Sequence, residues 1–288
     1  MSDVDPSVIA IPSSAAPPGV DNPVAAVKLD GLTRRFGAHT VVDHVSLTVN
    51  DREVFGLLGR NGAGKTTLIK MLTTLLPPTS GSAVVEGFDI VRQPARVRAL
   101  IGYVPQALSA DGELTGYENL LVFAQLYGIA RAERKRRIGE TLAFMGLEAA
   151  SEQLVATYSG GMIRRLEIAQ SMLHRPKLLF LDEPTVGLDP VARETVWDHI
   201  RRLRRDFQTT IVMTTHYMDE ASSLCSRLGI LREGQLVACG SLDELRAASG
   251  EREASLDTLF ARYTGASAEA SEAYGDTAHE RQTAKRVG

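Results

Sequence analysis

A nine-residue stretch, Gly59 to Thr67, limits what this chain can fold into more than any other part of it. It fits the pattern G-x-x-x-x-G-K-[ST] and follows the apolar run 54–58. The pattern predicts a strand, a phosphate-binding loop and a helix, in that order. Glycines let such a loop turn tightly and aim successive N–H groups at a polyphosphate. The residues expected around the phosphates are Gly59, Arg60, Asn61, Gly62, Ala63, Gly64, Lys65, Thr66 and Thr67.

The helix after the loop adds to the anion site. Its N-terminus carries the positive end of the helix dipole, which favours a bound anion. We expect Lys65 to reach the outer phosphates and the hydroxyl of Thr66 to complete the shell of a Mg²⁺ ion. Leu68, Leu72 and Leu75 fall at helical spacing, which predicts that they share one buried face. The plain alternative is a glycine-rich turn before a helix.

Composition excludes several classes of protein. The 288 residues, 44% of them apolar, suffice for one large α/β domain or two closely joined lobes. A net charge of -3 offers no surplus of Lys and Arg, so no nucleic acid is expected as a partner. Two cysteines cannot build a disulfide framework or a four-ligand zinc site. No window approaches 18 uninterrupted apolar residues, so we expect a cytosolic chain that serves a membrane only by docking on a separate membrane-embedded subunit.

Changes in composition divide the chain into three parts. Residues 1–23 carry five prolines and little to bury, which is typical of a disordered tail. Residues 24–240 alternate strand-like and helical patterns, and from about 107 to 175 the helical spacing predicts an inserted helical lobe. Residues 241–288 form a C-terminal extension whose Ser-, Ala- and Glu-rich end we expect to be mobile.

Two further apolar runs end in residues that suit phosphate chemistry. Residues 177–181 lead to Asp182 and Glu183, and residues 210–215 lead to His216. Continuous apolar runs are typical of strands covered on both faces, and open α/β sheets bind ligands beyond the carboxyl ends of their strands. We therefore expect these side chains and the phosphate loop around one crevice. Taken alone, the two acids would more often be a helix cap or a turn, and the histidine a satisfied polar residue.

From about residue 24 to residue 241 the chain resembles the ATPase subunits of ATP-binding-cassette (ABC) transporters, because five motifs follow the phosphate loop in the order of that family. They are the Q-loop glutamine Gln106, the signature-like run Tyr158 to Met162, the Walker B strand 178–182 followed by Glu183, the D-loop Gly187 to Asp189, and the switch histidine His216. The resemblance implies an α/β P-loop NTPase. Its RecA-like core would be a mostly parallel sheet, with an antiparallel β subdomain and an inserted α-helical signature subdomain.

The resemblance also implies a role for single residues, with ATP and Mg²⁺ as cofactors. Asp182 would hold Mg²⁺ directly or through water, and Gln106 would add an amide oxygen. Glu183 would accept a proton from the water that attacks the γ-phosphate. His216 would hydrogen-bond the γ-phosphate and keep Glu183 and the water in register. Phe36 would stack on the adenine.

A second anion site follows from the signature-like run. Ser159, Gly160 and Gly161 open a helix, so they offer a hydroxyl, close-approach glycines and a helix N-terminus. One chain cannot easily place two such sites on one phosphate. The resemblance implies a homodimer in which this run closes over the ATP of the other copy, with Asp189 of the D-loop also near nucleotide. ATP would join the subunits, and hydrolysis would part them.

The spelling of the motifs resembles that of the daunorubicin-resistance type of bacterial drug and lipid exporters. The similar stretches are 159–169, 182–190, 214–221 and 256–265. Ile163 and Gln170 depart from this type, which usually has basic residues there, so the charge of the outer face of the signature helix differs.

The expected function is ATP hydrolysis that powers export through a separate membrane permease, at the cytoplasmic face of the membrane. The alternatives are an importer ATPase and a soluble ABC ATPase of DNA repair or translation. A kinase or GTPase would not explain residues 159–162.

Overall fold

The computed structural model describes residues 25–265, and a six-stranded sheet forms their centre. Its strands, in spatial order, are β10 (Gln235–Gly240), β9 (Arg227–Arg232), β3 (Val54–Gly59), β8 (Thr210–Thr215), β7 (Leu178–Asp182) and β6 (Ile101–Val104). Of these strands only β10 runs antiparallel to its neighbour. Strands β3, β7 and β8 are buried at every residue, as expected for continuous apolar runs covered on both faces.

A second, four-stranded antiparallel sheet packs beside the first. Its order is β2 (His39–Asn50), β1 (Ala25–Phe36), β4 (Ser80–Val85) and β5 (Phe88–Asp89). Val27 and Leu29 of β1 share a buried cluster with Phe55 and Leu57 of β3. The two sheets are therefore joined by one hydrophobic core, and the predicted antiparallel subdomain is confirmed.

The helix after the phosphate loop is shorter than its apolar spacing predicts. Helix α1 spans Lys65–Leu72, and α2 (Pro94–Leu100) follows β5. The expectation that Leu75 lies on the buried face is wrong, because its side chain is 59% exposed. Thr74 takes a left-handed conformation (φ +63°), and the N–H groups of Leu75 and Leu76 both donate to the carbonyl of Lys70. The chain thus leaves the helical path before it reaches Leu75.

Three helices lie between β6 and β7, in the stretch where helical spacing predicts an inserted lobe. They are α3 (Gly116–Leu126), α4 (Arg131–Phe144) and α5 (Gly160–Met172). Helix α3 begins at a capping box, in which Thr115 and Glu118 satisfy each other's backbone N–H groups. Leu120, Ile138 and Leu166 are fully buried where the three helices meet. This inserted helical subdomain agrees with the fold that the resemblance implies.

Four helices complete the described part: α6 (Pro190–Phe207), α7 (Met218–Leu224), α8 (Leu242–Ser249) and α9 (Leu256–Thr264). Strands β9 and β10 form an antiparallel hairpin. Leu259 and Phe260 of α9 pack in one cluster with Leu58 of β3 and Ala221 of α7. Residues 242–264 therefore continue the core of the domain instead of lying apart from it.

Two sequence-based expectations, the tail 1–23 and the mobile end of the extension, fall outside the described residues. Within residues 25–265 no helix combines the length and apolarity needed to cross a bilayer.

The packing of α9 gives a stability prediction. Leu259 is fully buried, so Leu259→Ala should lower the free energy of unfolding by about 2–4 kcal/mol through lost burial and a residual cavity. The control Leu126→Ala removes a side chain that is 75% exposed and should change it by less than about 0.5 kcal/mol. Urea unfolding followed by circular dichroism measures both. Equal losses would contradict a structural role for α9.

Candidate functional site

Four neighbouring parallel strands of the central sheet deliver the predicted site residues to one edge. In the order β3, β8, β7 and β6, their carboxyl ends lead into the phosphate loop, His216, the pair Asp182 and Glu183, and Gln106. Parallel strands end on the same side of a sheet, where open α/β folds bind ligands. The fold thus brings the ends of these four strands to one edge of the sheet.

The phosphate loop wraps around the amino group of Lys65. This nitrogen donates to the carbonyl oxygen of Gly59 at 2.7 Å and contacts that of Arg60 at 3.4 Å. The side chain of Lys65 is only 5% exposed, whereas Asn61 and Gly62 at the tip of the loop are exposed. The loop thus encloses the buried cationic side chain of Lys65.

Asp182 is fully buried at the end of β7 and fits the expected Mg²⁺ site. Its Oδ1 accepts hydrogen bonds from the hydroxyls of Thr214 at 2.6 Å and Thr66 at 3.2 Å. Its Oδ2 is buried without a hydrogen-bond partner. Mg²⁺ binds one or two protein oxygens and completes its shell with water and phosphate. The free carboxylate oxygen beside a threonine hydroxyl is such a ligand set, and residues 25–265 contain no cluster of three or more His, Cys, Asp or Glu that would suit another metal.

Glu183 is held in a strained conformation between two partners. Its φ of +48° lies in the left-handed region, which costs about 1–3 kcal/mol for a residue other than glycine. Its N–H donates to the hydroxyl of Thr214 at 2.9 Å. One carboxylate oxygen lies 3.1 Å from Nζ of Lys65, and the other lies 3.0 Å from Nδ1 of His216.

The charge of Glu183 follows from these partners. Burial alone would raise the pKa of this carboxyl, but the contacts with His216 and Lys65 outweigh burial, so the pKa lies below the ordinary value. Glu183 is therefore a carboxylate at neutral pH. A buried, ionised glutamate beside a nucleotide-type loop can accept a proton from water.

The signature-like run and the D-loop lie next to each other, at the starts of α5 and α6. Ser159 accepts a hydrogen bond from the N–H of Met162 and caps α5, which packs mainly on α3, α4, α6 and β6. Asp189 caps α6 in the same way. A Cβ on Gly161 would stand 2.8 Å from Cβ of Ala192, so the starts of α5 and α6 touch closely. Ser159, Gly160 and Asp189 remain exposed.

Phe36 ends β1 with its ring 47% exposed. The guanidinium of Arg34 lies 4.5 Å from the centre of that ring, so the aromatic face already attracts a planar cationic group. An exposed ring of this kind suits stacking on a base.

Three residues near the site were missed by the sequence reasoning. Thr214 joins Asp182 and Glu183 through one hydroxyl. Gly234, in the turn between β9 and β10, donates its N–H to the carbonyl of Ala63 in the phosphate loop at 3.1 Å. Glu220 of α7 accepts hydrogen bonds from Thr185 and Trp197, and burial raises its pKa. Thr214 and Glu220 carried a signal, because both lie in the stretch 214–221 that resembles the exporter type, whereas Gly234 carried none.

Comparisons with known proteins point to one family. The family model described as "ABC transporter" matches residues 42–186, half of the chain. The chain is 44% identical to the daunorubicin/doxorubicin resistance ATP-binding protein DrrA of Streptomyces peucetius, over 79% of this chain and 69% of that protein. It is 41% identical to the Nod factor export ATP-binding protein I of Paraburkholderia xenovorans, over 78% of this chain and 74% of that protein.

The fold is also similar to a solved structure described as the ATP-binding subunit of an ABC transporter. The match covers 83% of this chain and 99% of that chain, with a TM-score of 0.75 and 32% sequence identity. The fold and site define a P-loop ATPase that binds and hydrolyses ATP. The chain belongs to the ABC transporter family, and among its relatives are the resistance-type ATP-binding proteins that the motif spelling resembles. The predicted family, fold class and enzymatic activity are thus confirmed.

The hydrogen bond from the N–H of Gly234 to the carbonyl of Ala63 in the phosphate loop can be tested with two matched glycines. Gly234 (φ +83°) and Gly87 (φ +81°) both sit in hairpin turns, but a Cβ would meet the Val41 carbonyl at 2.6 Å in the first and nothing within 4 Å in the second. Both alanine variants carry about 1–2 kcal/mol of left-handed strain. Gly234→Ala should also weaken ATP binding about fivefold, the worth of roughly one hydrogen bond. Titration with a fluorescent ATP analogue measures the affinity. Equal affinities of the Gly234→Ala and Gly87→Ala variants would contradict a role for this hydrogen bond in holding the loop.

The depressed pKa of Glu183 predicts a pH dependence of stability. The ionised carboxylate stabilises the fold above the ordinary value of 4.5, and this contribution is lost as the pH falls through the lower pKa of the folded state. Glu183→Gln imitates the neutral acid. Wild type should therefore be the more stable protein at about pH 7, and the difference should shrink towards about pH 3.5. Urea unfolding across this range measures it; a constant difference would contradict the assignment.

Proposed function

We propose that this ATPase powers the export of a drug, antibiotic or lipid through a separate membrane permease. The observation that supports the proposal most is the buried pair of Lys65 and Glu183 with the partly exposed His216, beside Asp182, at the edge of the sheet where the phosphate loop begins. The relatives whose names state resistance or export favour an exporter over an importer or a repair ATPase.

ATP would replace contacts that the loop makes with itself. In the structure Lys65 donates to Gly59 and pairs with Glu183. In our proposal Lys65 turns to the β- and γ-phosphates, the N–H groups of residues 60–67 surround them, and Phe36 stacks on the adenine. Asp182, Thr66 and Gln106 would hold Mg²⁺, which neutralises charge on the phosphate oxygens when bound.

In our proposal Glu183 is the general base of ATP hydrolysis. When Lys65 turns to phosphate, the carboxylate loses its cationic partner and becomes free to accept a proton. The water oxygen forms a bond to the γ-phosphorus, the bond from that phosphorus to the bridging oxygen of ADP breaks, and Glu183 takes the proton of the water. His216 lies 3.0 Å from the carboxylate of Glu183 and holds that carboxylate in its orientation during this step.

The exposed start of α5 supports a dimer of this chain. Ser159 and Gly160 present a hydroxyl and a helix N-terminus to solvent, and Asp189 lies beside them on α6. In our proposal these residues close over the ATP held by a second copy, so two ATP molecules lie between two subunits. Hydrolysis separates charge at that seam and opens it.

The partner in the membrane is a separate permease, since ABC ATP-binding subunits work with one. The proposed location is the cytoplasmic face of the membrane, reached through that permease. Co-purification of the chain with a co-expressed permease, followed by transport assays with candidate cargos, tests both points.

A single substitution separates catalysis from binding. Glu183→Gln removes the proton acceptor, so phosphate release should fall by about 10²–10⁴-fold. The phosphate loop and the exposed start of α5 are unchanged, so this variant should still bind ATP and form dimers with ATP and Mg²⁺, as light scattering would measure. Glu194→Gln alters an exposed acid that pairs with Arg201 and should leave turnover unchanged. Turnover of Glu183→Gln at the wild-type rate would refute the assigned base.

A further inference from the structure

Two buried side chains of α5 hold the loop that follows β6. Arg164 donates from Nη1 to the carbonyl of Pro105 at 2.7 Å and from Nη2 to the carbonyl of Gln106 at 2.8 Å. Glu167, one turn further along α5, accepts hydrogen bonds from the N–H and the hydroxyl of Ser109. The backbone on both sides of the glutamine is therefore fixed to the helix that starts at the signature-like run.

The two side chains also pair with each other away from water. Nη1 of Arg164 lies 3.0 Å from Oε2 of Glu167, and each side chain is only 2% exposed. Buried charges are costly unless they are paired and hydrogen-bonded, so losing one of these contacts would destabilise the structure around the pair. The planar guanidinium reaches the two carbonyls with two separate nitrogens in a fixed fork, a geometry that the single ammonium nitrogen of a lysine does not reproduce.

The far end of the same loop is held by amides. Asn119 of α3 accepts from the N–H of Asp111 at 3.0 Å and donates to its carbonyl at 2.9 Å. Gln170 of α5 donates to Asn119 at 3.2 Å. Arg164, Glu167 and Gln170 recur every third residue on one face of α5. Gln170, a departure from the usual family spelling, thus has a structural partner here.

We propose that Arg164, with Glu167, is a positioning residue that fixes Gln106 at the nucleotide site and ties its place to the orientation of the signature helix. The inference rests on the proposed function, in which Gln106 serves the Mg²⁺ site and Ser159 serves the partner's nucleotide. Strand β6, which carries Gln106 at its end, pairs with β7 next to Asp182. A rotation of α5 therefore moves the glutamine relative to the Asp182 carboxylate.

Arg164→Lys is the main test, because it keeps a charge for Glu167 but lacks the two-nitrogen fork with which Arg164 holds the carbonyls of Pro105 and Gln106. We expect kcat for ATP hydrolysis to fall about tenfold, as for other groups that orient metal-site ligands. KM for ATP should stay within about twofold, because the substitution does not change the contacts of the phosphate loop that bind ATP before the reaction. Amide hydrogen exchange of residues 105–111, measured without nucleotide, should become about tenfold faster. The variant lacks a charged hydrogen bond to this loop, so local opening of the loop costs less free energy.

Arg165→Lys is the matched control on the same helix. Arg165 also donates to two carbonyls, those of Met145 and Gly146, but these lie at the end of α4 and not in the glutamine loop. Its replacement should leave both kcat and the exchange of residues 105–111 unchanged. The double variant Arg164→Met/Glu167→Gln removes the pair without leaving a buried charge, and it serves if Arg164→Lys does not fold.

Several results would overturn the assignment. Wild-type exchange in residues 105–111 of folded Arg164→Lys would show that the contacts do not order the loop. Faster exchange with unchanged kcat would show that they do not position Gln106. A rise in KM that matches the fall in kcat, or the same pattern in Arg165→Lys, would indicate general damage. If wild type hydrolyses no ATP, or Glu183→Gln retains full turnover, the proposed function fails instead, and the exchange experiment still tests the contacts of Arg164.

Discussion

The site depends on a buried ion pair between the phosphate loop and the strand that ends in acids. Lys65 and Glu183 are each only 5% exposed, and they lie 118 positions apart in the chain. Neither charge could be buried alone without a cost of several kcal/mol, on the order of 3–5 for a broken pair. Closing this pair therefore brings β3 and β7 to the two sides of β8. Thr214 of β8 then bonds Asp182 and the backbone of Glu183.

Much of this site could be predicted from sequence because its signals are local. The phosphate loop, the acids after β7 and His216 after β8 are each visible as a few residues at the end of an apolar run. Gly234 was not, because its contact with Ala63 depends on how a distant hairpin folds back. The end of α1 was missed for a different reason: apolar spacing continues to Leu75, but the left-handed Thr74 ends the helix.

Polar residues in the helical subdomain show the same limit. Arg164 and Glu167 look in sequence like an exposed i,i+3 pair on a helix, which contributes little to stability. In the fold both are buried, and their partners are backbone groups of residues 105–109, roughly sixty positions earlier in the chain. Burial cannot be inferred from spacing when the polar face of a helix covers a loop. The sequence thus indicates which helix carries the signature-like run but not what that helix holds.

These contacts bear on how two exposed motifs could act together. Gly161 permits the start of α5 to touch Ala192 at the start of α6, and Arg164 ties the next turn of α5 to the loop of Gln106. A partner that docks on Ser159 would push on a helix that is joined at one end to the D-loop and along its side to the glutamine loop. Packed helices move as rigid bodies because their interiors resist compression. In the proposed dimer, docking and the arrangement of the nucleotide site would therefore be coupled through a single helix.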